Sequence, residues 1–401
     1  MPSIRQLFLS HVARTNEIPL MLEVERAEGM YIYDTTGKKY MDMNSGISVS
    51  SLGHCHPRVV EAVKNQVELH MHTMVYGEHV HNPQVKYAAL LTSYLAPGLD
   101  LVYFLMTGTE TVELAIKLCR KYTGRTEVVS CKNSYHGSTY GSEALRSDDE
   151  FTMHFAPGLP GVRHIEFNNF EDLSKITSKT ACVIIEPVQA EAGVIPPAPE
   201  FLINLSEKCK ETGTLLVLDE IQTGFGRTGY LFAHQKYGLI PDVLLIAKSM
   251  GGGMPIGGLV SSAKILGALI KSPALGHITT FGGHPVSCAA AYATLEEIEG
   301  SKLIHQVQKK ERLILEKLRH PIIKEIRHSG LMMGVELTKR KYLKHVVNKC
   351  MELGLIIDYF LFNDRSFRLA PPLIISEAQI IEAITIILKA MNFAYEKYNK
   401  S

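Results

Sequence analysis

Two short apolar runs, each closed by a charged side chain, constrain this 401-residue chain more than any other feature. Thr214-Leu215-Leu216-Val217-Leu218 ends in Asp219-Glu220. Val243-Leu244-Leu245-Ile246-Ala247 ends in Lys248 and then Ser249-Met250-Gly251-Gly252-Gly253-Met254-Pro255. Runs this rich in Val, Ile and Leu read as strands buried on both faces of a parallel sheet. Ligands of open α/β sheets sit beyond the carboxyl ends of the strands. A carboxylate and an amine are therefore expected at one edge, beside glycines that let a ligand approach the backbone. An amine that must shed its proton to react, near an acid that keeps its charge, suits Schiff-base chemistry on pyridoxal phosphate. Taken singly, each has an ordinary explanation: most lysines are solvated, and most aspartates after a strand cap a turn.

The surrounding text adds specificity. Leu218-Asp219-Glu220-Ile221-Gln222-Thr223-Gly224-Phe225-Gly226-Arg227-Thr228-Gly229, followed by Ala247-Lys248-Ser249-Met250-Gly251-Gly252-Gly253, resembles the pyridoxal-phosphate-dependent aminotransferases of class III. That group includes the acetylornithine, ornithine, 4-aminobutyrate and other ω-amino-acid aminotransferases. The resemblance runs from about Glu23 to Ser376. It implies the α/β fold of type I pyridoxal phosphate enzymes, a mainly parallel sheet in a large domain with a smaller α+β domain drawn from both termini. It also implies that Lys248 forms the Schiff base and Asp219 pairs with the pyridine nitrogen, with Ile221 on the ring and Gln222 near its hydroxyl. The expected reaction moves an amino group from an ω-amino or amino-acid donor to a keto acid through pyridoxamine phosphate. Lys248 would carry the proton between substrate Cα and the cofactor.

Tyr103-Phe104-Leu105-Met106 reads as a strand leading into Thr107-Gly108-Thr109-Glu110, and Val112, Ala115, Ile116 and Cys119 recur at helical spacing. Thr107 and Glu110 have capping-box spacing, and a glycine-containing turn at a helix start offers free N–H groups to a phosphate. The resemblance places Tyr135 of Asn133-Ser134-Tyr135-His136-Gly137-Ser138-Thr139 on the cofactor ring and His136 among the cofactor-binding residues. In His277-Ile278-Thr279-Thr280-Phe281 it makes Thr280 the residue that reaches a neighbouring subunit's phosphate, implying a homodimer.

Arg368, in Phe367-Arg368-Leu369-Ala370-Pro371, resembles the family's substrate-carboxylate clamp, and Glu191 resembles the glutamate that pairs with it. Glu191 would neutralise Arg368 when an ω-amine end is bound and release it for an α-carboxylate. Relatives that use 2-oxoglutarate frequently carry Arg where this chain has Ser138. That departure favours a monocarboxylate acceptor such as pyruvate, with Arg146 as a conceivable substitute cation.

Gly224-Phe225-Gly226-Arg227-Thr228-Gly229 also satisfies G-x-G-x-x-G, but no helix start follows it, which disfavours a dinucleotide site. Three H-x-H pairs (His54/His56, His70/His72, His79/His81) lack further ligands, so no metal is expected. A net charge of +1 offers no field for nucleic acid or membrane, and no apolar stretch is expected to reach spanning length. Seven dispersed cysteines, with no CxxC, point to reduced thiols in a cytoplasm. Residues 3–14 read as an N-terminal helical arm. The expected division is 1–45 and 296–401 for the small domain and 46–295 for the large one. An aminomutase, racemase or decarboxylase on the same scaffold is the alternative reading, and a dinucleotide oxidoreductase a distant third.

Overall fold

The computed structural model describes residues 2–399. Its centre is a seven-stranded sheet in the order 101–105, 257–261, 243–246, 215–219, 180–185, 127–131, 162–165. Strands Leu215–Asp219 and Val243–Ile246 pair in parallel and are buried throughout. Only Gly257–Ser261 runs against its neighbours. Because Leu101–Leu105 and Val243–Ile246 are both antiparallel to that strand, they point the same way. Strands 101–105, 127–131, 180–185, 215–219 and 243–246 therefore deliver their carboxyl ends to one edge.

Both sheet faces are covered, so the strands carry no polar alternation. Leu215 and Val217 pack with Val112, Ala115 and Cys119 of helix Gly108–Thr123. Leu216 and Leu218, one residue out of phase, pack in the cluster containing Phe201, Leu205 and Cys209 of helix Phe201–Thr212. The two-residue period of a strand thus divides one apolar run between two cores. Each such Leu or Val adds about 1.5–3 kcal/mol of burial.

Two four-stranded sheets lie outside this layer. One joins 24–28, 31–34 and 39–42 to 355–356, and the other has the order 323–328, 333–337, 366–369, 358–359. In the second, Arg368 is registered opposite Gly334. A Cβ on Gly334 would lie 2.3 Å from the carbonyl oxygen of Gly193. The missing side chain lets the loop carrying Glu191 settle beside Arg368.

Helix Ile4–His11 begins at a capping box of Ser3 and Gln6. The last helix, Glu377–Asn399, follows reciprocal bonds between Ser376 and Gln379. This helix corrects the expectation that no apolar stretch reaches spanning length. By length and composition Glu377–Tyr398 is apolar enough to cross a membrane. Its buried residues Ile380, Ala383, Ile387, Ala390 and Ala394 form one stripe, and the helix packs against 340–352 and 303–317. Period 3.6 thus accounts for its apolarity as a core-facing stripe.

Candidate active site

A cleft of about 580 Å³ opens at the shared carboxyl edge of the central sheet. Its walls include Thr107, Gly108, Thr109, Tyr135, His136, Asp219, Ile221, Gln222 and Lys248. They lie at or just after the ends of four co-directed strands, so parallel topology brings together segments more than 100 residues apart.

Lys248 opens a short 3₁₀ turn, Lys248–Gly251, with φ +49°. A non-glycine residue in the left-handed region is uncommon and is held by its surroundings. Burial pushes its amine down to about 8, with Arg368 acting in the same direction and Glu191, Asp219 and Glu186 opposing. A substantial neutral fraction near physiological pH is what a Schiff-base lysine requires.

Asp219 is buried at the end of its strand. Its Oδ2 accepts from His136 Nδ1 at 2.6 Å, and its Oδ1 accepts from the Ile221 backbone N–H at 3.0 Å. The carboxylate is acceptor-only, which assigns the proton of His136 to Nδ1. Burial alone would lower the His136 pKa, but the Asp219 bond and the charges of Asp219 and Glu186 raise it overall. His136 Nε2 is buried without a partner. Glu186, which also lines the cleft, was given no role from sequence although it closes strand Thr180–Ile185 much as Asp219 closes its own. It accepts from the backbone N–H groups of Tyr135 (3.2 Å) and Ala190 (2.9 Å). Burial pushes its carboxyl up to about 7.

At the start of helix Gly108–Thr123, the capping box of Thr107 and Glu110 is formed in both directions. The hydroxyl of Thr107 is thus engaged with the Glu110 N–H, and that of Thr109 with Thr139 and Ser142, each at 2.7 Å. What Gly108 and Thr109 present to the cleft is backbone. Space there is tight: a Cβ on Gly108 would lie 2.9 Å from Ile221 Cδ1. On Gly137, at φ +129°, it would lie 2.3 Å from Thr109 Oγ1.

Arg368 and Glu191 form a buried pair, with Nη2 donating to Oε1 at 2.6 Å and to Oε2 at 2.7 Å. Gln222 Nε2 donates to Glu191 Oε1 at 3.1 Å, and the Leu361 N–H to Oε2 at 3.2 Å. Burial would raise the Glu191 pKa, yet Arg368 and then Lys248 hold it below the ordinary value. The guanidinium lies over the Phe360 ring at 4.7 Å, and its Nε and Nη1 have no partners.

Two expected residues stand apart. Thr280 is exposed on the loop after His277 and does not line the cleft of its own chain. Arg146 does not line the cleft: it bonds both oxygens of Asp148 (3.1 and 3.3 Å) and faces the rings of Phe151, Phe362 and, at 5.8 Å, the cleft-wall Tyr135. A guanidinium held in this way is a poor substitute for the arginine absent at 138. Ser138 instead stands 3.2 Å from the Tyr135 hydroxyl.

The donor set fits pyridoxal phosphate. A partly neutral lysine, a buried carboxylate at the strand end and bare helix-start amides meet in one cleft, with Tyr135 and Ile221 in its walls. The two glycines keep that space clear, since a Cβ at either would collide with its wall.

Comparison with known proteins agrees. The family description of class-III aminotransferases matches residues 12–391. Acetylornithine aminotransferase of Caldanaerobacter subterraneus is 37% identical over 386 residues, covering 93% of this chain and 94% of the relative. The Methanocaldococcus jannaschii enzyme of that name is 37% identical over 402 residues, covering 97% of each chain. Among solved structures, ornithine aminotransferase of Toxoplasma gondii superposes with a TM-score of 0.90 at 29% identity, over 99% of this chain and 97% of that one. A further structure of the Toxoplasma enzyme is described as having partial occupancy of pyridoxal phosphate at its active site. Strand-end lysine and aspartate, helix-start cradle and family match converge: the chain belongs to the class-III aminotransferases and depends on pyridoxal phosphate.

Proposed function

We propose that Lys248 and Asp219 are the catalytic residues of this aminotransferase and that its acceptor is a monocarboxylate keto acid such as pyruvate. The observation carrying the first part is the Lys248 amine, brought down to about 8, in one cleft with the buried Asp219–His136 pair. Pyridoxal phosphate, bound there, supplies the carbonyl that takes up the amino group and the ring that accepts electrons from the breaking Cα–H bond. Backbone N–H groups of Gly108 and Thr109 would hold its phosphate, and Tyr135 and Ile221 would flank the ring. Asp219, kept in place by His136, would hold a proton at the ring nitrogen. Lys248 Nζ would take the proton from the substrate Cα and deliver it to the cofactor carbon that receives the amino group. Arg368 binds the substrate carboxylate once Glu191 moves aside, and Glu191 neutralises Arg368 when an ω-amine end is bound.

The acceptor preference rests on charge. The cleft walls contain Ser138 where a dicarboxylate clamp would stand, and Arg146 is committed to Asp148. The similarity to acetylornithine aminotransferases makes N-acetylornithine the first donor to try. The visible band of the protein with pyridoxal phosphate provides the test. A donor amine should bleach it, and pyruvate should restore it faster than 2-oxoglutarate does. Restoration by 2-oxoglutarate alone would overturn the acceptor, and absence of the band would overturn the role of Lys248.

The working unit we propose is a homodimer in which Thr280 completes the partner's phosphate site. Met71, Met74, Val80, Val85, Ile278 and Phe281 are all exposed. The segments that carry them meet, with the His72 and Phe281 rings 5.0 Å apart. Exposed apolar side chains grouped on adjoining segments support an interaction surface there. Sedimentation should give a mass of two 44.6 kDa chains. A fully active monomer would sink the idea. Six buried thiols and one exposed thiol, none in a disulfide, favour the cytoplasm as its compartment.

A further inference from the structure

Arg227, in the glycine-rich turn after strand Leu215–Asp219, is fully buried, yet the cofactor cleft does not use it. Its Nη1 donates to the carbonyl oxygens of Leu331 (3.1 Å) and Pro371, and its Nη2 to Ser51 Oγ at 3.0 Å. Nε has no partner. All three acceptors are neutral. A buried cation whose hydrogen-bond acceptors are all neutral, with only the nearby Asp42 charge favouring it, is costly, so the surrounding fold has to be built for it. Two close approaches show that it is. A Cβ on Gly226 would lie 2.9 Å from Leu373 Cδ1, and one on Gly330 would lie 2.6 Å from the carbonyl oxygen of Arg227. The Leu331 N–H also returns a bond to that carbonyl at 2.9 Å.

From Ser51 a directed chain of hydrogen bonds leads to Ser249, the residue after the reactive lysine, and ends on the Ser48 carbonyl. Ser51 Oγ lies 2.7 Å from Ser249 Oγ, and Ser249 Oγ donates to the Ser48 carbonyl at 2.6 Å. Because the Ser249 proton is used there, the Ser51 hydroxyl must be the donor to Ser249, while its oxygen accepts from Arg227. Ser249 adjoins Lys248, whose backbone is in the left-handed region. On the other side, Pro371 lies three residues beyond Arg368, and the Leu373 N–H donates to the Ser51 carbonyl at 2.7 Å.

We propose that Arg227 is a positioning residue: through Ser51 and Ser249 it sets the placement of Lys248, and through Pro371 it ties that placement to the segment bearing Arg368. The amine and the carboxylate clamp, which lie on different sheets, are thereby held in one register. Merely filling the core would not require the oriented serine pair that ends beside Lys248. The inference rests on Lys248 as the cofactor-binding amine, which the visible band of the parent protein checks independently.

Ser249→Ala, Ser51→Ala and Arg227→Lys holoenzymes test it. Ser249→Ala leaves every bond of Arg227 in place and cuts only the last link. It should lower kcat by on the order of tenfold through misplacement of the amine. It should also shift the pH at which the visible band titrates and leave KM for the carboxylate substrate unchanged. Lysine cannot reproduce the three-pronged contact, so Arg227→Lys should change both kcat and KM. Combining it with Ser249→Ala should add no further loss in kcat, since both cut one chain. Wild-type kcat and band titration in both serine variants would overturn the proposal. So would full additivity of the Arg227 and Ser249 effects. If Arg227→Lys does not fold, the serine variants decide alone.

Discussion

Replacing Glu191 by Gln tests the gate that Arg368 and Glu191 form. Arg368 Nη2 holds both Glu191 oxygens at 2.6 and 2.7 Å, with both residues buried. Removing one member of a buried pair costs about 3–5 kcal/mol, because the remaining charge is stranded. The variant should therefore melt lower, and a carboxylate ligand should restore part of the loss by binding only the folded state. In the parent protein a substrate carboxylate has to displace Glu191, and in the variant it does not. KM for an α-carboxylate substrate such as alanine should fall by on the order of ten- to a hundredfold, about 1.4–2.8 kcal/mol. An ω-amine donor should gain nothing. The pH dependence has a definite sign. The pKa of Glu191 is depressed in the folded protein, so the pair's contribution is complete above the ordinary value of 4.5. It is lost as pH falls through the folded value, a loss the variant should lack. Steady-state kinetics with alanine and calorimetry across acid pH are the assays. Unchanged KM together with unchanged melting would show that Glu191 does not compete for Arg368.

Three further outcomes follow from the charges in the cleft. Lys248 has its pKa lowered from 10.5 to about 8, so cofactor capture by the apoprotein should accelerate with rising pH through a midpoint near 8. A rate that is flat from neutral pH to pH 10 would contradict the buried environment. By linkage, the same depression means that folding stability is gained as pH rises from about 8 to 10.5. Ser138→Arg should raise kcat/KM for 2-oxoglutarate relative to pyruvate by on the order of ten- to a hundredfold, through a charge-assisted bond of about 1.5–3 kcal/mol. An unchanged ratio would place the acceptor's distal end away from residue 138.

Some of the site was legible because its chemistry is local. The apolar runs before Asp219 and Lys248 announce buried strands, and both charged residues lie on or just beyond the strand ends. The capping spacing of Thr107 and Glu110 predicts the helix start that forms there. Arg146 and Glu186 were less legible, because what decides each is a partner supplied by tertiary packing. Arg146 is drawn to Asp148 and the rings of Phe151 and Phe362. Glu186 has the same strand-end signal as Asp219, but its meaning depends on the N–H groups of Tyr135 and Ala190.

The sequence by itself determined the cofactor and the type of reaction, because the text around Asp219 and Lys248 resembles one family and the continuous apolar runs before them already say where the strands end. Only the tertiary structure decided how the parts are coupled. His136 meets Asp219 across 83 residues, and Arg227 meets Ser51 across 176. Such pairings depend on sheet order and on glycines that let backbones touch, and no spacing within a single segment encodes them.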